Sequence, residues 1–173
     1  MKILAALLLG VTTLAQAGNP KWDQPQQPFP LYGNSYYVGT AGISAVLITS
    51  PQGHVLIDGA GAKGAAIIAA NIRALGYKLH DVKYILNSHS HSDHAGGLAE
   101  LQKLTGATVL AGQDNVPSLA SGKSDPADPQ YGDLNPFAPV SKPRGVIDGE
   151  VIKLGPLALT AHATPGHTPG GTS

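Results

Sequence analysis

Val82-Lys83-Tyr84-Ile85-Leu86-Asn87, a β-prone run, leads through Ser88 into His89-Ser90-His91-Ser92-Asp93-His94, followed at once by Ala95-Gly96-Gly97. Three imidazoles and a carboxylate within six residues would repel one another on protonation and waste hydrogen-bonding groups, unless a cation collects their lone pairs. The stretch therefore reads as a strand whose carboxyl end carries a metal cradle, the place where ligands gather in layered α/β proteins. In extended backbone, residues two apart share a face, so His89, His91 and Asp93 can point to one side before the chain turns. Gly96-Gly97 permits close approach at that turn. Leu98 to Leu104 reads as a short helix whose first turn Ser92 or Asp93 is placed to cap.

Upstream of this strand, Ser35-Tyr36-Tyr37-Val38-Gly39, Ile43 to Ser50 and His54-Val55-Leu56-Ile57-Asp58 are β-prone runs separated by Gly42 and by the Pro51-Gln52-Gly53 turn, a meander of three strands. Asp58-Gly59-Ala60-Gly61 breaks the sheet and leads into Lys63 to Leu75, where Ile68, Ile72 and Leu75 fall at helical spacing and Gly76 supplies a stop. Gly59, Gly61 and Gly64 have the spacing of a dinucleotide fingerprint, but a tight strand-to-helix turn accounts for them more simply. Downstream, Thr108-Val109-Leu110-Ala111 makes another strand, and the strand, helix, strand alternation indicates an α/β layered domain.

Gln113 to Arg144 carries Pro117, Pro126, Pro129, Pro136, Pro139 and Pro143, which excludes long helices and central strands. A long irregular insertion in a compact domain is often functional, so this segment is a candidate wall of the active site. Gly149 to Leu154, the Gly155-Pro156 turn and Leu157 to His162 read as a hairpin that delivers Thr164-Pro165-Gly166-His167-Thr168-Pro169-Gly170-Gly171.

The chain has 173 residues and a formal net charge of zero, which suits a single globular domain and gives no sign of a nucleic-acid partner. It has no cysteine, so disulfides and thiolate metal sites are excluded, and a metal must be held by His, Asp and water. Those ligands favour zinc. Lys2, the apolar run Ile3 to Val11 and the small-residue pattern Ala15-Gln16-Ala17 read as a signal peptide over residues 1–17, cut before Gly18. The run is shorter than the roughly 20 apolar residues that span a bilayer, so the expectation is a periplasmic protein with no membrane segment after cleavage. Residues 18–30, rich in Pro and Gln, read as an extended surface arm that Trp22 and Phe29 anchor. The domain proper is then 31–173.

A zinc ion takes about four ligands in tetrahedral array, and a catalytic zinc keeps one position for water. His89 and His91 supply two, and His167, in a loop fixed by Gly and Pro, is the candidate third. Asp93 and His94 remain unspent and suggest a second metal about 3.5 to 4 Å away. A two-zinc centre would lower the pKa of its water towards about 7 and provide a hydroxide nucleophile for an amide, ester, thioester or phosphodiester. No G-x-S-x-G elbow competes with that reading. His54, His80 and His162 read as surface or satisfied histidines, with His162 closest in sequence to the site.

His89-Ser90-His91-Ser92-Asp93-His94 resembles the zinc motif of the metallo-β-lactamase superfamily, and Thr164-Pro165-Gly166-His167-Thr168-Pro169-Gly170 resembles its downstream histidine loop. Tyr32 to Gly39, Gly42 to Ile48 and Gly53 to Gly59 are similar to the opening strands of subclass B3. The resemblance implies an αββα sandwich. It assigns His89, His91 and His167 to a first zinc and Asp93 and His94 to a second, with Asp93 and His91 as catalytic residues. It also implies a β-lactam as the small-molecule substrate and antibiotic resistance as the outcome. The family adds one more histidine to the second zinc from a later part of the fold, so the sequence is expected to be C-terminally truncated, holding the N-terminal half and the start of the second, and to be unstable and weakly active alone. The competing readings are a relative with a thioester, lactone or phosphodiester substrate, and an inactive metal-binding fragment.

Overall fold

The computed structural model describes residues 21–173; the expected signal peptide lies outside the described residues. A seven-stranded sheet follows the chain in order. β1 (Phe29–Tyr32), β2 (Ser35–Tyr37), β3 (Val46–Ile48) and β4 (His54–Ile57) are antiparallel neighbours, and β5 (Val82–Asn87), β6 (Thr108–Gly112) and β7 (Arg144–Val146) continue in parallel.

The meander has one strand more than its sequence suggests. Phe29 and Pro30, expected at the end of an extended surface arm, pair with Tyr37 and Tyr36 in β1, and the Phe29 ring stacks on Tyr37 at 4.9 Å. An edge strand tolerates Pro30, which explains why a Pro-rich stretch can still join the sheet. The expected strand Ile43 to Ser50 contracts to Val46–Ile48; Ile43 and Ala45 instead accept backbone N–H bonds from Thr40 and Val38 across a tight connection.

Leu47, Leu56, Ile85 and Val109 stand side by side across β3, β4, β5 and β6, and all are fully buried. They meet Ile68 and Ile72 of α1 (Gly64–Ala74) and Leu98 and Leu101 of α3 (Leu98–Thr105) in one core. Each such side chain contributes about 1.5–3 kcal/mol of burial, so this row fixes both helices on the same face. α1 spans the expected residues, with Lys63 and Leu75 as its caps and Gly76 in the left-handed region at φ 87°.

One residue along the strands, the side chains point to the other face. Leu110 and Val146 there pack on Ile152 and Ala161, in and just past the hairpin β8 (Val151–Leu154) and β9 (Leu157–Thr160). An apolar cavity of about 330 Å³, lined by Ile57, Leu86, Ile152 and Leu159 among others, lies between the two sheets. Helices, large sheet and second sheet are three successive layers of a mixed α/β sandwich. Among the described residues no helix is long and apolar enough to cross a membrane.

Candidate metal centre

β5 ends at Asn87, the chain bends at Ser88, and His91 is extended (φ −76°, ψ 149°). There it switches abruptly: the His91 carbonyl accepts the N–H groups of His94 and Ala95, starting the short helix α2 (Ser92–Ala95). Ser92 and Asp93 thus belong to their own turn and do not cap α3, whose N-cap is Gly97 without a side-chain bond. A Cβ on Gly97 would fall 2.2 Å from the Gly59 carbonyl oxygen, so the pair of glycines does allow the close approach the sequence suggests.

This geometry gathers all five expected ligands. The His89 ring lies 4.8 Å from His91, 4.1 Å from His94 and 4.8 Å from His167, and His91 and His167 are 4.5 Å apart. Ligand-capable atoms of His89, His91 and His167 lie within 4.8 Å of one another, as do those of His89, Asp93 and His94. The two triads share His89. His54, His80 and His162 join neither: His54 is buried edge-on to Tyr77, while the His80 and His162 rings are exposed beside Asp81 and Asp148.

The histidines are held by partners that no motif announces. Asp58, at the end of β4 with a left-handed φ of 62°, is a hub. Its Oδ1 accepts Ser88 N–H at 2.8 Å and Asn87 Nδ2 at 3.1 Å, and its Oδ2 accepts Ser88 Oγ at 2.7 Å and lies 2.9 Å from His94 Nδ1. Ser88 Oγ is also 3.0 Å from His89 Nδ1. His91 Nε2 lies 2.9 Å from Asp128 Oδ2, both side chains being almost wholly buried. The loop carrying His167 is pinned as well: Thr172 N–H donates to the Ser88 carbonyl, and Asn115 Nδ2 donates to the Gly170 carbonyl.

Burial pushes the His89 pKa down to about 4, and the neighbouring His94 and His91 add to the effect. Burial also works against protonated His94, but its hydrogen bond to Asp58 and the charges of Asp58 and Asp93 outweigh it, and its pKa is raised. For Asp128, burial opposes ionisation, yet the Gln130 N–H and His91 together hold the carboxyl below the ordinary range. A neutral His89 is the protonation state a cation needs.

The donor set therefore fits a metal: nitrogen and oxygen only, convergent, and with the other ring nitrogens of His89, His91 and His94 each occupied by a partner. Beside Asp93 a pocket of about 250 Å³ is lined by Trp22, Ile43, Pro136 and Phe137 among others. Pro136 and Phe137 come from the Pro-rich segment expected to wall the site, and Trp22 from the arm.

Residues 38–173 match the family model described as the metallo-beta-lactamase superfamily. The chain belongs to that superfamily. Among solved structures, this metallo-β-lactamase-fold chain is 64% identical to the metallo-beta-lactamase SMB-1 in a complex with mercaptoacetic acid, with a TM-score of 0.85 over 87% of this chain and 58% of that one. It is 60% identical to MEM-A1, a subclass B3 metallo-beta-lactamase isolated from a soil metagenome library, with a TM-score of 0.85 over 87% of this chain and 57% of that one. It is 47% identical to MIM-1 from Novosphingobium pentaromativorans, with a TM-score of 0.87 over 93% of this chain and 60% of that one. A hydroxyacylglutathione hydrolase of Rhodopseudomonas palustris (strain BisB18) is 35% identical over 60% of this chain and 32% of its own length. The chain thus spans about a third of that curated relative and under two thirds of the solved ones.

Proposed function

We propose that this superfamily member is part of a zinc-dependent β-lactamase that hydrolyses the amide of penicillins, cephalosporins and carbapenems and so confers antibiotic resistance. The observation that carries the reading is the 64% identity to SMB-1 across 87% of the chain, with both candidate metal triads inside residues 38–173 that match the superfamily. His89, His91 and His167 would hold one zinc ion; Asp93 and His94 would hold a second. Bound there, zinc supplies a Lewis acid for the amide carbonyl and lowers the pKa of water.

The chain's own residues supply the rest. The Asp93 carboxylate, partly exposed at the pocket, accepts a hydrogen bond from the attacking water and takes up its proton, while buried His91 fixes one side of the site. Trp22, Ile43 and Phe137 give the pocket an apolar wall for the substrate's side chain and exclude water from it. Residues 1–17 would export the protein to the periplasm, where these antibiotics act. Amino-terminal sequencing of the exported protein is expected to start at Gly18.

The deciding measurement is turnover of a chromogenic cephalosporin by the full-length protein, with and without a chelator, set against turnover of an S-acylglutathione thioester. Chelator-sensitive hydrolysis of the cephalosporin is the expected result. Preference for the thioester would instead place the protein with the hydroxyacylglutathione hydrolases, to which it is 35% identical over a shorter span.

A further inference from the structure

We infer that Asp128 is a positioning residue of the metal centre: it fixes the tautomer of His91, so that the imidazole carries its proton on Nε2 and offers a bare Nδ1 to a metal. The inference rests on the zinc reading of the triad His89, His91 and His167. It assigns a task to the Pro-rich segment that the pocket wall does not cover.

Asp128 is built for this role by its surroundings. Its Oδ1 accepts the backbone N–H of Gln130 at 2.8 Å, and its Oδ2 faces His91 Nε2 at 2.9 Å. The turn beneath it is closed by Asp128 N–H to the Asp125 carbonyl and Tyr131 N–H to the Asp128 carbonyl, while Asp125 Oδ1 accepts Ala127 N–H. The segment is tied back to helix α4 (Val116–Ser121) and its cap by Val140 N–H to the Leu119 carbonyl and Phe137 N–H to the Gly122 carbonyl. The carboxylate cannot swing away, since Asp128 is 5% exposed and His91 4%.

An ionised carboxylate only accepts hydrogen bonds, so the nitrogen facing it must be the protonated one. A neutral imidazole carries a single N–H, which leaves Nδ1 with its lone pair free. The geometry then makes an unusual forecast for Asp128→Asn. Gln130 N–H can only donate, so it keeps the asparagine carbonyl oxygen on its side and turns the amide NH2 towards His91 Nε2. That nitrogen must now accept, the proton moves to Nδ1, and the ligand atom is blocked. Asp128→Ala imposes no tautomer at all. The near-isosteric Asn variant should therefore bind metal worse than the Ala variant, the reverse of what a packing role predicts.

Two readouts test this on the 173-residue chain. In chelated protein carrying 15N-labelled histidine, long-range 1H–15N spectra at a pH where the rings are neutral, assigned with His91→Gln, should show His91 protonated at Nε2 in the wild type and at Nδ1 in Asp128→Asn. Zinc affinity, by competition with a chromophoric chelator, should fall roughly 10- to 100-fold in Asp128→Asn and less in Asp128→Ala. A wild-type His91 protonated at Nδ1 overturns the inference even if neither variant folds, as does an Asn variant that binds zinc as well as the Ala variant. Failure of the wild type to bind zinc at all sinks the metal reading itself, a distinct result.

Discussion

Asn115 accepts a hydrogen bond from Ser90 Oγ at 3.2 Å through its Oδ1, while its Nδ2 donates to the Gly170 carbonyl at 2.8 Å. Ser90 sits between His89 and His91, and Gly170 closes the loop that presents His167, so one buried carboxamide sets the distance between the two halves of the first triad. A Cβ on Gly170 would meet the Asn115 backbone nitrogen at 2.4 Å, which shows how tightly the loop is drawn in. Asn115→Ala should leave the Ser90 hydroxyl unpaired and the Gly170 carbonyl with only the Thr172 hydroxyl, at 3.1 Å, as its donor, and cost about 1–3 kcal/mol in urea denaturation. It should also weaken zinc binding though it touches no ligand. Wild-type zinc affinity in a folded Asn115→Ala protein would show that the loop is held by other means.

The two triads make separate predictions for metal stoichiometry. His167 belongs only to the triad with His89 and His91, and Asp93 only to that with His89 and His94. His167→Ala should abolish zinc at the first site together with hydrolysis, whereas Asp93→Ala should keep first-site zinc and still lose hydrolysis. Equilibrium dialysis followed by metal analysis, run beside the cephalosporin assay, distinguishes them. Unchanged stoichiometry in His167→Ala is incompatible with its assignment.

Backbone packing beneath the site can be probed by glycine alone. A Cβ at Gly97 would collide with the backbone of Gly59, while one at Gly61 meets nothing nearer than Asp23 Oδ1 at 3.7 Å. Gly97→Ala should destabilise the chain by about 1–3 kcal/mol, because the turn before α3 must lift off the β4 connection. Gly61→Ala should change stability by no more than about 0.5 kcal/mol. Chemical denaturation of the pair checks both, and equal stabilities would mean that the turn relaxes without penalty.

What could be read from the sequence is what local pattern dictates. Ile68, Ile72 and Leu75 fall on one helical stripe, β5 and β6 are β-prone runs, and the His-x-His-x-Asp-His spacing needs only the end of a strand to converge. The supporting residues give no such signal. Asp58 looks like the last residue of a strand, and becomes a hub only because β4 and β5 lie parallel and bring it, just past the end of β4, beside Asn87 and Ser88. Asn115 and Asp128 lie among prolines and polar residues and acquire their roles by long-range folding. A carboxylate at the carboxyl end of the strand beside β5 was the one visible clue. β7 was hidden for a different reason: Pro143 and Gly145 flank Arg144, two residue types that argue against a strand, and the Gln113 side-chain amide fills the space beside Gly145.

Acid should destabilise the metal-free chain, with a component that can be assigned away from the site. His54 is buried edge-on to Tyr77, and its Nδ1 accepts Ser50 N–H at 3.4 Å. Burial lowers its pKa; the Gly53 backbone and Asp81 oppose this and Lys83 reinforces it. In the unfolded chain a histidine titrates near 6.5, so on acidification the unfolded state takes up the proton first. The stability held by neutral His54 is thus complete above about 6.5 and is lost as pH falls through the lowered folded pKa. His89, held down to about 4, acts in the same sense over the window from about 6.5 to 4. His94 has the opposite sign: its pKa is raised, so its contribution is present below about 6.5 and disappears as pH rises through the folded value. His54→Gln removes one acid-sensitive component without touching the histidine cluster. Urea midpoints measured with chelator from pH 8 downwards should therefore fall less steeply below pH 6.5 in His54→Gln than in the wild type, and parallel curves would remove His54 from the account.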